Sequence, residues 1–166
     1  MELRVEHNVP EIVQWLEQAS QDSITELLAG VTQAQLLYER HAKEGTPVGV
    51  GGGAGLRGSI ASSQPQVLAE GVIGLVGTSL AHALPVELGT KPHFPPIAPL
   101  ELWVQKKLGI ESDQAKSVAW AIAKTIAKKG TKGQRMFGKA FEQTQGQMEQ
   151  ILTEAVRRLA DRMNKS

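Results

Sequence analysis

Apolar residues recur at helical spacing in several stretches of the chain. Ile24, Leu27, Leu28, Val31, Gln35 and Tyr38 make one stripe, and steps of three and four residues put them on one face. That spacing predicts a helix from about Ser23 to Ala42. Ser23, with Glu26 three residues on, has capping-box spacing and reads as its start. Gly30 costs such a helix up to about 1 kcal/mol relative to alanine, so it marks a close contact or a break between two helices. Leu100, Trp103, Val104 and Leu108 predict a short helix ended by Gly109. Ala115, Val118, Ala119, Ile122, Ala123 and Ile126 form a narrow seam on the next helix, capped by Ser112 or Asp113 and stopped by Gly130. Phe137, Ala140, Phe141, Thr144, Met148, Ile151, Leu152, Ala155, Leu159 and Met163 fit one face of a long C-terminal helix. Arg157, Arg158, Arg162 and Lys165 in its last turns suit the negative end of the helix dipole.

The remaining segments lack that period. Leu3-Arg4-Val5 reads as a short opening strand or an extended tail. Pro10 and Glu11 suit a helix start, with Ile12, Val13, Trp15 and Leu16 on its apolar side. Residues 45–98 hold eleven of the 17 glycines and six of the eight prolines. Thr46 to Gly58 reads as a flexible loop. Ser59 to Ser63 and Val67 to Val76 read as two antiparallel strands turning near Gln64–Pro65. Ala81 to Leu88 predicts a short helix, interrupted or ended at Pro85. Gly89 to Pro99, with Pro92, Pro95, Pro96 and Pro99, reads as irregular.

The length, 166 residues and 17.9 kDa, suits one domain over 1–166 with a real core. Hydrophobic residues at 41% and charged residues at 21% argue against wholesale disorder, and 4% aromatics imply an aliphatic, alanine-rich core. The chain has no cysteine, which removes disulfides, thiolate zinc sites, iron–sulfur clusters and cysteine nucleophiles, and fits an intracellular assembly site. Met1 to Glu6 does not read as a signal peptide. The longest uncharged stretch, Gly71 to Val86, is too short for a membrane helix and includes Gly77, His82 and Pro85. The expectation is a soluble chain without membrane contact.

Charge is uneven along the chain. Residues 1–45 hold three basic and eight acidic side chains; residues 99–166 hold thirteen basic and seven acidic ones. From Lys116 to Lys139 there are seven basic residues and no carboxylate. The plain reading is a solvated helix face followed by a basic turn. Two others pair this segment with the acidic start of a neighbouring copy, where opposite charge steers and orients contact, or with nucleic-acid phosphates. Lys124, Lys128, Lys129, Lys132 and Arg135 are the candidate DNA or subunit contacts. A net charge of +1 argues against a dedicated DNA-binding domain.

No catalytic constellation emerges. Gly53-Ala54-Gly55-Leu56-Arg57-Gly58 matches G-x-G-x-x-G, but a helix and a proline precede it and no acid lies about twenty residues on. A mobile loop is the better reading, and there is no Walker A motif. His82, Glu87 and His93 match no metal-ligand spacing, and His93 reads as a loop residue packing on prolines. The serines lack a G-x-S-x-G context. The chain is therefore not expected to be an enzyme, and no catalytic, metal or cofactor residue is assigned. Trp15, Trp103 and Trp120 read as core or helix-interface packing, with subunit-interface anchoring as the alternative.

Three segments carry a resemblance by their order. The first is Thr46-Pro47-Val48 followed, after a glycine run, by Gly55-Leu56-Arg57-Gly58-Ser59-Ile60. The second is Val86-Glu87-Leu88-Gly89-Thr90, leading into Pro92, Pro95 and Pro96. The third is Ile126-Ala127-Lys128-Lys129-Gly130-Thr131-Lys132-Gly133, then Met136-Phe137 and Ala140. Together, over residues 20–165, they resemble the gene-product-ten-like family of tailed-phage neck, head–tail joining and tail-completion proteins. Gly53-Ala54-Gly55 stands where threonine–glycine is usual, and Ala81-His82-Ala83-Leu84 where a tyrosine–alanine pair is usual. The helices over about 99–130 look like an insertion.

The resemblance implies an α+β fold: a small antiparallel sheet flanked by helices, a long C-terminal helix and extended Gly- and Pro-rich loops at about 45–58 and 89–99. It implies a homo-oligomeric ring, most readily a hexamer, at the head–tail junction of the virion, assembled in the host cytoplasm. The ring would dock on connector or stopper and on tail or terminator proteins, with DNA passing through its lumen. The loops would make the partner contacts through Thr46, Pro47, Gly51, Gly53, Leu56 and Arg57, and through Thr90, Pro92, His93, Phe94, Pro95 and Pro96. Deleting Thr46–Ala54 or Gly89–Pro99 is expected to spare folding and block assembly.

Overall fold

The computed structural model describes residues 2–5, 21–50, 55–68 and 71–163. The order of elements is β1 (Glu2–Val5), α1 (Gln21–Gly45), α2 (Leu56–Ser59), β2 (Ala61–Ser62), β3 (Gln66–Leu68), β4 (Gly71–Gly77), α3 (Ala83–Leu88), β5 (Gly89–Thr90), α4 (Ile97–Leu108), α5 (Ser112–Lys129), β6 (Thr131–Lys132) and α6 (Met136–Met163). This is an α+β fold with a small antiparallel sheet and a long C-terminal helix.

The two predicted long helices, α1 and α6, form the body. They run antiparallel: Glu26 near the start of α1 meets Arg158 Nε at 3.1 Å, and Tyr38 near its end donates its hydroxyl to the Phe137 carbonyl at 3.3 Å. Their apolar stripes meet as the periodicity requires. Tyr38, Ala42, Phe137 and Ala140 are buried together with Leu56, Ile60, Val76 and Met136. Gly30 does not break α1. A Cβ there would collide with the Ala155 side chain, so the glycine lets the two helix backbones approach. Ser23 lies inside α1, which already includes Gln21, so it is not the cap its spacing suggested.

The sheet is centred on β4. β1 pairs antiparallel along one side of it, with Glu2 opposite Gly77 and Val5 opposite Gly74. β2 and β3 lie in line along the other side. Here the sequence expectation is corrected. The chain does not turn at Gln64–Pro65; it reverses between Leu68 and Gly71. Residues 63–65 are set against only Gly74 and Leu75 of β4, which makes a one-residue β-bulge. Pro65 has no N–H to give a ladder, so it serves a bulge as well as a turn. Gln35, buried on α1, fills the irregularity. Its Nε2 donates to the carbonyls of Ser63 (3.2 Å) and Leu75 (2.9 Å), and a Cβ at Gly74 would strike its amide.

Other boundaries also shift. Leu56–Ser59 is a helical turn that takes the end of the predicted loop and the first residue of the predicted strand Ser59–Ser63, which is reduced to Ala61–Ser62. α3 runs through Pro85 to Leu88, because a proline in the first turn removes only an N–H that the helix does not use. Pro99 sits in the first turn of α4 for the same reason, so that helix starts at Ile97. Gly89–Thr90, predicted irregular, and Thr131–Lys132, predicted a basic turn, pair as β5 and β6. The predicted helix after Pro10 lies outside the described residues.

Candidate interaction surface

α4 and α5 pack on each other around Val104, Ala115 and Ala119, with Ile97, Leu100, Ile110 and Ile122 at the margins. Among the described residues, neither packs extensively on any element of the body. They form an arm, residues 91–130, joined to the body through the β5–β6 pair.

That pair is a backbone-to-backbone crossing. Gly89 pairs with Lys132 and Thr90 with Thr131, whose hydroxyls lie 3.0 Å apart. The Gln134 and Arg135 N–H groups donate to the carbonyls of Val86 (2.8 Å) and Glu87 (3.0 Å), extending the contact into α3. Gly89 (φ 80°) and Gly130 (φ 69°) sit in the left-handed region. A Cβ at Gly89 would meet the Thr131 carbonyl oxygen, and one at Gly130 the Thr90 carbonyl oxygen. The two strands can lie this close only because both positions are glycine.

Below the stem, Glu87 is buried at the start of α6. Its Oε2 accepts from the Phe137 N–H at 2.9 Å and its Oε1 from the Gly138 N–H at 3.0 Å. α6 has no acidic residue in its own first turn, so a carboxylate from α3 caps it. Burial, and then the Glu87 charge, push the Tyr38 phenol well above its ordinary pKa. On the sheet side, burial alone would raise the Glu39 carboxyl. Hydrogen bonds from Lys43 and from the Ser62 side chain and N–H (2.8 Å) outweigh it and hold the group below the usual range.

The residues expected to touch partners divide into two groups. Thr46 and Leu56 are buried, so they are anchors of their loop and not contact residues. The Thr46 hydroxyl donates to the Ala42 carbonyl (2.6 Å) and lies 3.1 Å from Met136 Sδ. Arg57 donates from Nε and Nη2 to the Thr46 carbonyl at 2.9 and 2.6 Å, which closes the loop and caps the C-terminus of α1. Pro47 is exposed; Gly51 and Gly53 lie outside the described residues.

The second group is mostly exposed. Thr90 belongs to the stem, and Pro92, His93, Phe94 and Pro96 are open to solvent, with Pro95 half-buried. His93 Nδ1 is 3.0 Å from the Lys91 carbonyl oxygen. Phe94 stacks at a tilt on Trp120, ring centres 5.5 Å apart, and this joins the proline loop to α5. Lys124 and Lys128 follow Trp120 at steps of four on the outer face of α5, with Lys116 before it. The proline loop and the basic segment, read separately in the sequence, thus share one surface. Lys129 and Lys132 are exposed nearby, and Arg135 pairs with Glu142.

Trp103 and Trp120 correct the expectation of core packing, for they are 39% and 43% exposed; Trp15 lies outside the described residues. Among the described residues, seven of the twelve exposed large apolar side chains lie between Leu84 and Trp120, and that concentration locates the candidate surface on the arm and its root. Among the described residues no group of three His, Asp or Glu side chains converges, and no helix is long and apolar enough to cross a membrane. No family model, curated protein or solved structure matches the chain.

Proposed function

We propose that the chain is a structural subunit of a tailed-phage or prophage virion. It forms part of a ring at the head–tail junction that completes the tail and joins it to the connector. One observation carries the reading. The second and third segments of the family resemblance, Val86–Thr90 and Ile126–Gly133, meet as the two strands of one stem. That stem presents an arm with Phe94, Leu102, Trp103, Leu108 and Trp120 exposed. Large apolar side chains held clear of a core suit adhesion to another protein.

In this reading the protein binds copies of itself, a connector or stopper ring and a tail or terminator ring, with DNA passing through the lumen. A ring requires heterologous contacts that close by rotation. The test is to assemble particles without the protein. Tails that fail to join heads are the expected result, and normal infectious particles would refute the proposal.

The exposed row Lys116, Lys124 and Lys128 favours a second reading, a DNA-contacting module. It requires duplex affinity that falls steeply with salt and is lost when Lys124, Lys128, Lys129 and Lys132 are replaced by glutamine.

A further inference from the structure

We infer that the outer face of α5 binds single-stranded nucleic acid. Lys116, Lys124 and Lys128 take its phosphates, and Trp120, backed by Phe94, stacks on a base. The inference stands apart from the ring reading. It shares its lysines with the DNA-contacting reading and differs from it in the form of the strand and in the use of the rings.

The seam of α5 builds the row. Ala115, Ala119 and Ala123 are buried, and the residue after each is exposed: Lys116, Trp120 and Lys124, with Lys128 one turn further. Steps of four set these side chains about 6 Å apart along the helix, beside the seam and clear of it. A cation, a ring and two cations thus follow one another on one face. Leu102 lies two residues before the buried Val104, on the side of α4 turned away from α5, so it belongs to a different face of the arm.

The charge is uncommitted. None of these lysines forms an ion pair among the described residues, and no carboxylate lies between Asp113 and Glu142. Residues 91–132 hold eight lysines, all exposed, against Glu101, Glu111 and Asp113, and the last two sit at the start of α5. The positive field therefore strengthens from Lys116 towards Lys128, Lys129 and Lys132, a track that a polyanion can follow.

The rings choose the polyanion. Phe94 and Trp120 are 52% and 43% exposed, with centres 5.5 Å apart and planes at 55°. Phe94 sits among Pro92, Pro95 and Pro96, whose fixed φ stiffens the loop that holds it against Trp120. The indole is thus in place before a ligand arrives, which lowers the ordering cost. Nucleic acid alternates phosphates with flat rings, as this row alternates lysines with an indole. A carboxylate peptide or an anionic bilayer matches the lysines alone. In a duplex the base faces are already stacked on one another, so only a single strand can use Trp120.

The test uses the full chain with a labelled oligothymidylate, a DNA duplex of equal length, poly-glutamate and anionic phospholipid vesicles. The oligothymidylate should bind most tightly. Trp120→Ala should weaken that binding about 5- to 150-fold, the range for losing one stacked base, and leave duplex affinity unchanged; Trp120→Phe should restore most of it. Lys116→Gln, Lys124→Gln and Lys128→Gln together should lower the salt slope by about 2, since each phosphate contact on a single strand contributes about 0.7. All four positions are exposed, and circular dichroism checks the fold. No binding by the full chain, poly-glutamate or vesicles bound as tightly, or Trp120→Ala without effect on the single strand would each overturn the inference. Duplex bound as tightly as the single strand, with Trp120→Ala changing neither, would keep the DNA-contacting reading and end this one. Trp120-dependent binding beside particles that assemble normally without the protein would leave the inference standing and remove the virion reading.

Discussion

Replacing Glu87 should loosen the joint between α3, the stem and α6. Its carboxylate accepts two N–H groups, from Phe137 at 2.9 Å and Gly138 at 3.0 Å, at a helix end with no acidic residue of its own. The Phe137 donor is buried and Gly138 is half-buried. A buried donor left without an acceptor costs about 1–3 kcal/mol, and losing an N-cap costs about 0.5–2 kcal/mol. These overlap, since both count the same bonds, and water can reach Gly138 in part. Glu87→Ala should therefore lose roughly 3 kcal/mol, a large share of the ~5–15 kcal/mol that holds an ordinary domain. Glu87→Gln keeps one acceptor oxygen and the shape, and should lose roughly half as much. Urea unfolding of the three proteins at neutral pH measures both values, with an unchanged m-value showing that the comparison is fair. Glu87→Ala within about 0.5 kcal/mol of wild type would refute the capping role. Equal losses for alanine and glutamine would refute the claim that acceptor oxygens carry it.

Tyr38 is the only tyrosine, so phenolate absorbance reads this side chain alone. Below about pH 10 both folded and unfolded chains keep the proton; above it the unfolded chain releases the proton and the fold does not. Stability should fall as pH rises past 10, with phenolate appearing only as the protein unfolds, and Tyr38→Phe should flatten that fall. Gly130→Ala puts a methyl against the Thr90 carbonyl at a positive φ, and should cost more than about 1 kcal/mol in thermal or urea unfolding. Arg57→Ala frees the loop it closes; limited proteolysis should cut within 47–55 faster, with a stability loss of about 1 kcal/mol. The loop deletions need redrawing in this light. Removing Gly89–Pro99 takes out β5 and should disturb folding, whereas changes confined to residues 91–96 or 47–54 should spare it.

Periodicity made the helices legible. α1, α4, α5 and α6 each repeat apolar residues at three and four, and Gly109 and Gly130 end theirs as glycines commonly do. The stem was not legible, because a two-residue strand has no alternation to show and Gly89–Thr90 finds its partner some forty residues on. Pro65 misled because a missing N–H suits a turn and a bulge equally. Glu87 left a signal of a different kind: it is the only carboxylate between Glu70 and Glu101. The start of α6, preceded by Gln134 and Arg135, lacks a Ser, Thr, Asp or Asn to cap it. A lone acid in an apolar stretch and an uncapped helix are complementary gaps. Trp120 stood off the alanine seam of α5, which is how its exposure could have been read.

The arm's thin core has a consequence for motion that the body does not share. α1 and α6 bury Tyr38, Phe137, Met136 and Leu159 between and around them, whereas α4 and α5 fully bury only one valine and three alanines, Val104, Ala115, Ala119 and Ala123. Burying a valine-sized side chain contributes about 1.5–3 kcal/mol, so opening the arm alone should cost several kcal/mol less than unfolding the chain. Each 1.4 kcal/mol is about tenfold in the population of the open form. Amides of α4 and α5 in the free subunit should therefore exchange with solvent at least about 100-fold faster than those in the middle of α1 and α6. The glycine-locked stem still holds the arm's direction, which lowers the ordering cost when a partner covers it. Covering Leu102, Trp103 and Trp120 adds the apolar contact the arm lacks, so assembly should slow exchange in α4 and α5 and leave the centre of α1 unchanged. Arm amides already as protected as those of α1 before assembly would mean that the small seam suffices alone, and the exposed tryptophans would then need a different explanation.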